Sequence, residues 1–322
     1  MKKTSFWILI LLISILLSLF LGRYHLSFLD TFNALIFNAE PIQIRLLYQI
    51  RLPRILFACI AGGALAISGM VFQTIFKNGL ASGDVLGTSS GCSLGAIIGI
   101  LFFDSFLMTQ FFTFIFGMLS LVFVFFLSQK QKGNQLVHLL ICGIIVQAIF
   151  TSLITGLKLT ADPFQELGTI EYWLMGGLSD VGWKNGSVSC LLVGLGSLVL
   201  YKLRWQIQMI GFGEEASTMG VNVKMVRTLA LSLSTLLISA VVAVSGPISW
   251  VGILIPHMIR LWTHRPISKS FTFTFVIGAV FVLLCDTIAR SLFAIELPIS
   301  IVTSFFGAIY LMVIFRKGKR VL

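Results

Sequence analysis

Two ionisable side chains interrupt a long apolar run near the end of the chain. Asp286 and Arg290 are four residues apart in the apolar segment 271–293, so a helix would place them on one face, where they can pair. Charges inside a membrane are costly and commonly functional, which makes Asp286 a candidate proton relay. A structural ion pair is the favoured interpretation, because a proton-coupled carrier would hold more buried carboxylates.

No other pattern in the sequence predicts catalytic or metal chemistry. A GxxxxGK[ST] phosphate loop is missing, and the one Gly-Lys pair, Gly318-Lys319, is followed by Arg320. There is no HExxH, no GxSxG and no His/Cys cluster with metal spacing. The cysteines all occupy apolar runs without a CxxC and are interpreted as packing residues. We therefore expect no enzyme activity, no ATP hydrolysis by this chain and no metal site.

The composition indicates what positions these residues. Of 322 residues, 57% are hydrophobic and 11% are charged, whereas soluble domains carry about 25% charged residues. Each membrane-spanning helix needs about 20 apolar residues, so the sequence predicts an all-α polytopic membrane protein with about ten spans. The predicted spans are 5–22, 52–76, 85–103, 109–128, 135–157, 186–203, 227–245, 248–262, 271–293 and 298–315.

The distribution of basic residues predicts the orientation. With the N-terminus inside, 16 of the 23 Lys and Arg residues fall on the inner side. The other seven are Arg23, Arg45, Arg51, Arg54, Lys158, Lys184 and Arg290. This bias predicts an even number of spans with both termini in the cytoplasm. It also accounts for the net charge of +11 without a nucleic-acid partner.

Three connections are long enough to have a function of their own. The connections 23–51 and 158–185 are predicted to lie outside, and the second carries Trp173 and Trp183, which suit the membrane interface. The connection 204–226 is polar and is the longest one predicted inside.

Several ordered segments resemble one family of membrane proteins. They are Arg51-Leu-Pro-Arg54, Gly63 to Gly69 with Gln73, Asn78-Gly-Leu-Ala81, Leu86-Gly87, Gly213-Glu-Glu-Ala216 with Met219 to Asn222, Ser245-Gly-Pro-Ile248, Ile255-Pro-His257, Asp286, Arg290, Glu296-Leu-Pro-Ile299, Thr303 and Gly307. In this order and spacing they resemble the permease subunits of ABC importers for iron–siderophore complexes, haem and cobalamin, the FecCD family. Gly79 departs from the proline usual in that family.

The resemblance implies a type II ABC importer permease fold, with residues 1–322 forming a single transmembrane domain. It implies a second permease copy or a paralogue around a central pathway, in the lipid bilayer of a bacterial cytoplasmic membrane. It also implies two ATP-binding cassette subunits, which would bind the ATP, and an extracytoplasmic substrate-binding protein. No cofactor is expected in this chain.

The resemblance also implies roles for particular residues. Glu214, Glu215, Ala216 and Gly220 match the cytoplasmic loop that docks into the ATPase, and an ordinary solvated loop is the alternative. Arg51 and Arg54 match arginines that meet acidic residues of the binding protein, which suits the planar guanidinium. Snorkelling toward lipid headgroups is the alternative.

Arg290 is a weaker docking candidate, because Asp286 can hold it. The pathway would be lined by the fifth and tenth spans and part of the second. The polar candidates along it are Gln73, Gln147, Ser300 and Thr303.

The leading hypothesis is thus the permease of an ATP-driven importer for an iron–siderophore complex or a related metal chelate. Haem, cobalamin and molybdate are the alternative cargoes. A secondary transporter that couples to ions through Asp286 is the rival mechanism. A membrane protein without transport activity is the third possibility, and neither rival accounts for the ordered motifs.

Overall fold

The structure is a computed structural model and describes residues 2–22, 24, 27–103, 105–129, 135–263, 265–292 and 295–316. In these ranges the chain forms α-helices without a strand, which confirms the predicted all-α class. The helices are α1 (Lys2–Phe20), α2 (Phe28–Leu35), α3 (Pro41–Arg45), α4 (Leu52–Ile75), α5 (Thr88–Phe103), α6 (Phe106–Ser128), α7 (Gln135–Thr160), α8 (Glu166–Leu174), α9 (Trp183–Ile210), α10 (Val223–Ser245), α11 (Val251–Thr263), α12 (Ile267–Ser291) and α13 (Ile299–Arg316).

Six helical segments of the described chain are long and apolar enough to cross a membrane. They are Pro41–Ile75, Phe106–Ser128, Gln135–Thr160, Trp183–Ile210, Val223–Ser245 and Ile267–Ser291. Four shorter apolar helices, Phe6–Phe20, Thr88–Phe103, Val251–Thr263 and Ile299–Ile314, correspond to the remaining predicted spans. α11 rises only about 20 Å along its axis, less than the roughly 30 Å of a hydrocarbon core.

The second predicted span begins earlier than the sequence suggested. A helical segment starts at Pro41 and continues through a π-helical stretch, Leu46–Arg51, directly into α4. Pro53 lacks an N–H and its ring crowds the carbonyl of residue 49, and the wider π turn accommodates both effects. The predicted connection 23–51 thus contains α2 and the start of this helical segment, and the predicted connection 158–185 contains α8.

Helix α4 is the centre of the bundle. It packs against α9, α10, α11 and α12, and 83% of its most apolar window is buried. Two glycine contacts bring the backbones together: a Cβ on Gly62 would overlap the carbonyl of Gly278, and one on Gly69 would overlap that of Gly252. Small residues at such crossings let helices approach closely in a membrane.

An unwound segment, residues 246–250, separates α10 from α11. Gly246 (φ 64°) and Trp250 (φ 72°) both adopt positive φ, and the Trp250 ring packs where a Cβ of Gly307 would lie. The Ser300 hydroxyl donates to the Pro247 carbonyl at 2.8 Å. A hydrogen bond of 2.8 Å also joins the Gly177 N–H to the Ser245 carbonyl. This junction ties the start of α13 to the break between α10 and α11.

Candidate docking and coupling sites

An arginine cluster lies at one end of the bundle, which we call the outer end after the predicted orientation. The guanidinium of Arg54 binds the Asp286 carboxylate through two nitrogens, with Nη2–Oδ1 at 2.7 Å and Nε–Oδ1 at 3.0 Å. Arg54 Nη2 also contacts Glu296 Oε1. The predicted Asp286–Arg290 pair is confirmed, with Arg290 Nε 3.5 Å from Asp286 Oδ2. Asp286 thus has two cationic partners, and the stronger one was not predicted.

Arg51 and Arg290 hold the end of α1. Arg51 donates to the carbonyls of Leu19 and Tyr24, and Arg290 donates to the Ser18 carbonyl and, at 2.6 Å, to the Ser18 hydroxyl. The last carbonyls of a helix have no partner within it and attract cations. Both guanidiniums therefore act as a cap that joins α1 to α4 and α12.

A cavity of about 460 Å³ opens among these side chains and is lined by Arg51, Arg54, Arg290 and Glu296. All three arginines are at most 7% exposed. Three guanidiniums face the carboxylates of Asp286 and Glu296, so the ionised cluster carries one net positive charge. The Asp286 side chain is 1% exposed and that of Glu296 is 24% exposed. Glu296 is consequently the carboxylate that an incoming group can reach.

The predicted coupling loop forms a compact turn at the opposite, inner end. α9 extends to Ile210, a 3₁₀ turn covers Gly213–Ser217, and α10 begins at Val223. Within the turn Ala216 is fully buried, whereas Glu215 and Gly220 are exposed. The side chain of Glu214 lies outside the described residues. The non-helical part of the predicted loop 204–226 is therefore much shorter than the sequence suggested.

This turn is seated on the inner end of α4. A Cβ on Gly213 would come within 3.1 Å of Lys77 Nζ, and one on Gly211 within 3.6 Å of the Thr74 methyl group. Gly220 closes the turn in the left-handed region, with φ 79°. Without a Cβ, glycine adopts this conformation at little cost. The inner turn and the arginine cluster thus contact opposite ends of one helix.

The four predicted pathway residues occupy different environments. The Gln73 side chain is buried, and its amide donates to the Gly252 and Ile253 carbonyls at 3.1 Å each. Thr303 is fully buried, and Ser300 is partly exposed beside Pro247. Gln147 is exposed on α7. The described contacts give Gln73 a part in holding α11, and a pathway role for the four residues stays a prediction.

Helices α7 and α13 have broad exposed faces. On α7 only a narrow stripe is buried: Leu139, Cys142, Gly143, Val146 and Phe150. On α13 exposed apolar side chains include Ile301, Phe305 and Ile309. Both faces are available to lipid, to a second subunit or to a pathway.

One polar site was not predicted from the sequence. A 3₁₀ turn, Gly83–Leu86, packs against the middle of α7, where a Cβ on Gly143 would overlap the Val85 carbonyl. Asp84 is exposed in this turn and accepts a hydrogen bond from Ser82 Oγ at 3.2 Å. Asp84 also lines a cavity with Gly69 of α4 and Ile238 of α10. Hydropathy placed residue 84 in a connection, so no local signal indicated a carboxylate packed among these helices.

The fold and these sites define a multi-pass membrane permease. The profile of the FecCD transport family matches residues 10–317, and the chain belongs to this family. The molybdate import system permease protein MolB of Haemophilus influenzae is 36% identical over 320 residues, covering 97% of this chain and 94% of MolB. The hemin transport system permease protein HmuU of Yersinia pestis is 34% identical, covering 96% of this chain and 92% of HmuU.

A solved structure has the same fold. A chain described as the inward-facing conformation of a metal-chelate type ABC transporter superposes with a TM-score of 0.91 at 34% identity. The match covers 98% of this chain and 99% of that chain.

Proposed function

We propose that this chain is the membrane permease of an ATP-driven importer that moves an iron–siderophore complex or a related metal chelate across a bacterial cytoplasmic membrane. Two permease subunits, two ATP-binding cassette subunits and an extracytoplasmic binding protein make up the working machine. This chain supplies ten membrane helices with both termini in the cytoplasm. The observation that carries the proposal is the position of α4, which links the arginine cluster to the inner turn.

Helix α4 is suited to transmit force because it is long and enclosed by neighbouring helices. Its 24 residues rise about 36 Å along the axis, and Arg54 and Thr74 lie near its two ends. Packed interiors do not deform continuously, so a displacement at one end reaches the other as a rigid-body shift. ATP binding pulls on the turn that carries Glu214 and Glu215, and α4 moves with it.

The arginine cavity receives an acidic side chain of the binding protein. Its one net positive charge matches one carboxylate, and arginine pairs with carboxylates through two parallel hydrogen bonds. Glu296 already holds Arg54 and is the more exposed of the two internal carboxylates. Docking therefore exchanges Glu296 for the partner's carboxylate. Because Glu296 lies three residues before the start of α13 at Ile299, this exchange also frees the start of that helix.

The pathway lies along the exposed faces of α7 and α13, where two subunits meet. Each of the two helices presents a broad exposed face, and these faces can move against a second copy. Gln147, Ser300, Asp84 and the break at 246–250 supply the polar groups. Transient, weak contacts suit a permease whose recognition resides in the binding protein.

Transport by the assembled complex tests the proposal. The chain is reconstituted in proteoliposomes with its ATPase and binding protein, and uptake of labelled ferric hydroxamate, hemin and molybdate is measured with and without ATP. We expect ATP-dependent uptake of the ferric chelate. Because the two relatives above are named for molybdate and hemin, uptake of one of these alone would correct the cargo but keep the mechanism. Uptake that needs an ion gradient and no ATP would instead establish the secondary transporter coupled through Asp286.

A further inference from the structure

An apolar groove runs along one face of α9, beside α12. Its α9 lining consists of Cys190, Val193, Gly194, Ser197, Leu198 and Tyr201, and its volume is about 340 Å³. These positions repeat every three or four residues, so they form one stripe along the helix. From Cys190 to Tyr201 the stripe rises about 17 Å, close to the thickness of one leaflet, about 15 Å of a 30 Å hydrocarbon core.

Gly194 and Ser197 leave space in the middle of the groove, and α12 lines its other side with Phe271, Thr272 and Phe275. A Cβ on Gly194 would meet nothing within 4 Å, while Leu195 beside it is exposed. On α12, the ring of Phe275 lies where a Cβ of Gly63 would be. Phe275 is thereby drawn toward α4, and the groove is a fixed feature of the packing.

The inner mouth of the groove carries a positioned cation. Tyr201 contacts the ring of Phe271 edge-on, with centroids 5.8 Å apart. The guanidinium carbon of Arg204 lies 3.9 Å from the centroid of the Tyr201 ring, and its Nη1 donates to the Tyr201 carbonyl at 2.7 Å. Stacking on an aromatic face fixes a guanidinium at the point where the apolar stripe ends.

Further positive charge surrounds this mouth. Gln208, one turn beyond Arg204, accepts a hydrogen bond from the Ser268 N–H at 3.3 Å, so the start of α12 lies against α9 here. Lys269 lies in the first turn of α12, Arg265 lies two residues before that helix, and both are exposed. The stretches 200–210 and 265–275 contain no acidic residue.

We propose that the groove and its cationic mouth bind one anionic phospholipid of the inner leaflet. An acyl chain lies along Cys190 to Tyr201, and the headgroup phosphate pairs with Arg204. The occupant at this depth must be apolar along one leaflet and anionic at the inner interface, and a lipid such as phosphatidylglycerol meets both conditions. Tyr201 sits at the interface, where tyrosine is favoured. This inference does not depend on the cargo or on the coupling mechanism.

Lipid binding to the purified full-length chain tests the proposal. After delipidation, native mass spectrometry measures the first dissociation constant for phosphatidylglycerol and for phosphatidylcholine of the same chain length. We expect the wild type to bind the anionic lipid about fivefold more tightly or better, the factor that one basic residue contributes at an anionic surface. Arg204→Gln should abolish this preference, and Lys202→Gln, on a different face of α9, should retain it.

The groove itself is tested by adjacent substitutions. Gly194→Phe fills the stripe and should weaken binding of both lipids, whereas Leu195→Phe adds the same ring outside the lining and should not. Circular dichroism verifies the fold of each variant. If Gly194→Phe does not fold, the smaller substitution Gly194→Leu takes its place as the variant that fills the groove. Equal wild-type affinity for both lipids, or equal binding by the two phenylalanine variants, would overturn the proposal and leave only an ordinary lipid annulus.

Discussion

Replacing Asp286 with asparagine removes the charge that joins α4 to α12 at the outer end. Among the described residues, Arg54 would keep Glu296 as its carboxylate partner, and Arg290 would lose the Asp286 carboxylate, 3.5 Å away. Removing one partner of a buried ion pair costs about 3–5 kcal/mol, because the remaining charge stays buried without compensation. The asparagine keeps a hydrogen-bond acceptor and Glu296 remains, so we expect the lower end, about 3 kcal/mol. That value is a change of about a hundredfold in the folded-to-unfolded ratio.

The measurement is denaturant unfolding of the purified chain in detergent, followed by circular dichroism. The matched control is Glu171→Gln, which removes an ion pair with Lys158 whose side chains are 48% and 26% exposed. Exposed pairs contribute about 0–1 kcal/mol. A double-mutant cycle with Arg54→Met then isolates the coupling, for which contacting residues give about 0.5–3 kcal/mol. If Asp286→Asn and Glu171→Gln lose equal stability, the cluster does not act as a buried ion-pair network and the reasoning fails.

Three further predictions concern function and packing. Changing both Glu214 and Glu215 to Arg should reduce substrate-stimulated ATPase activity of the assembled complex severalfold while leaving the fold intact, and unchanged activity would contradict the coupling role. Glu296→Gln should tighten docking of the binding protein, by about tenfold if the competing internal ion pair contributes about 1.4 kcal/mol. Arg54→Glu should weaken this docking, and surface plasmon resonance measures the dissociation constants of both variants. Weaker docking of Glu296→Gln would rule out the exchange of carboxylates. Gly62→Leu should lower the yield of monodisperse protein on size-exclusion chromatography because its side chain would overlap the Gly278 carbonyl, whereas Gly156→Leu, with nothing within 4 Å, should not.

Local patterns in the sequence were sufficient for some of these features. The Asp286–Arg290 pair follows from a spacing of four residues on a helix, and the structure contains it. The ordered motifs identified the family, which the match over residues 10–317 confirms. The spacing of the pair and the order of the motifs are both properties of the linear sequence, so neither requires knowledge of the packing.

Other features depend on residues that are far apart. Arg54 and Asp286 are separated by 232 positions, and no local pattern connects them. The inner turn also differs from its prediction, because α9 continues through polar residues that are not apolar enough to count as a span. The turn that carries Asp84 packs against α7 only because the chain folds back between α4 and α5.

Hydropathy determined which segments enter the membrane, and it could not determine which of their faces are covered. The most apolar 18-residue windows of Pro41–Ile75 and Gln135–Thr160 have nearly equal mean hydropathy, 2.2 and 2.3, yet 83% of the first window and 33% of the second is buried. Lipid tails are as apolar as a protein interior, so a helix at the centre of the bundle and one at its edge need the same residue types. Tertiary packing alone made α4 the central helix and left α7, α13 and the groove of α9 open to partners and lipid.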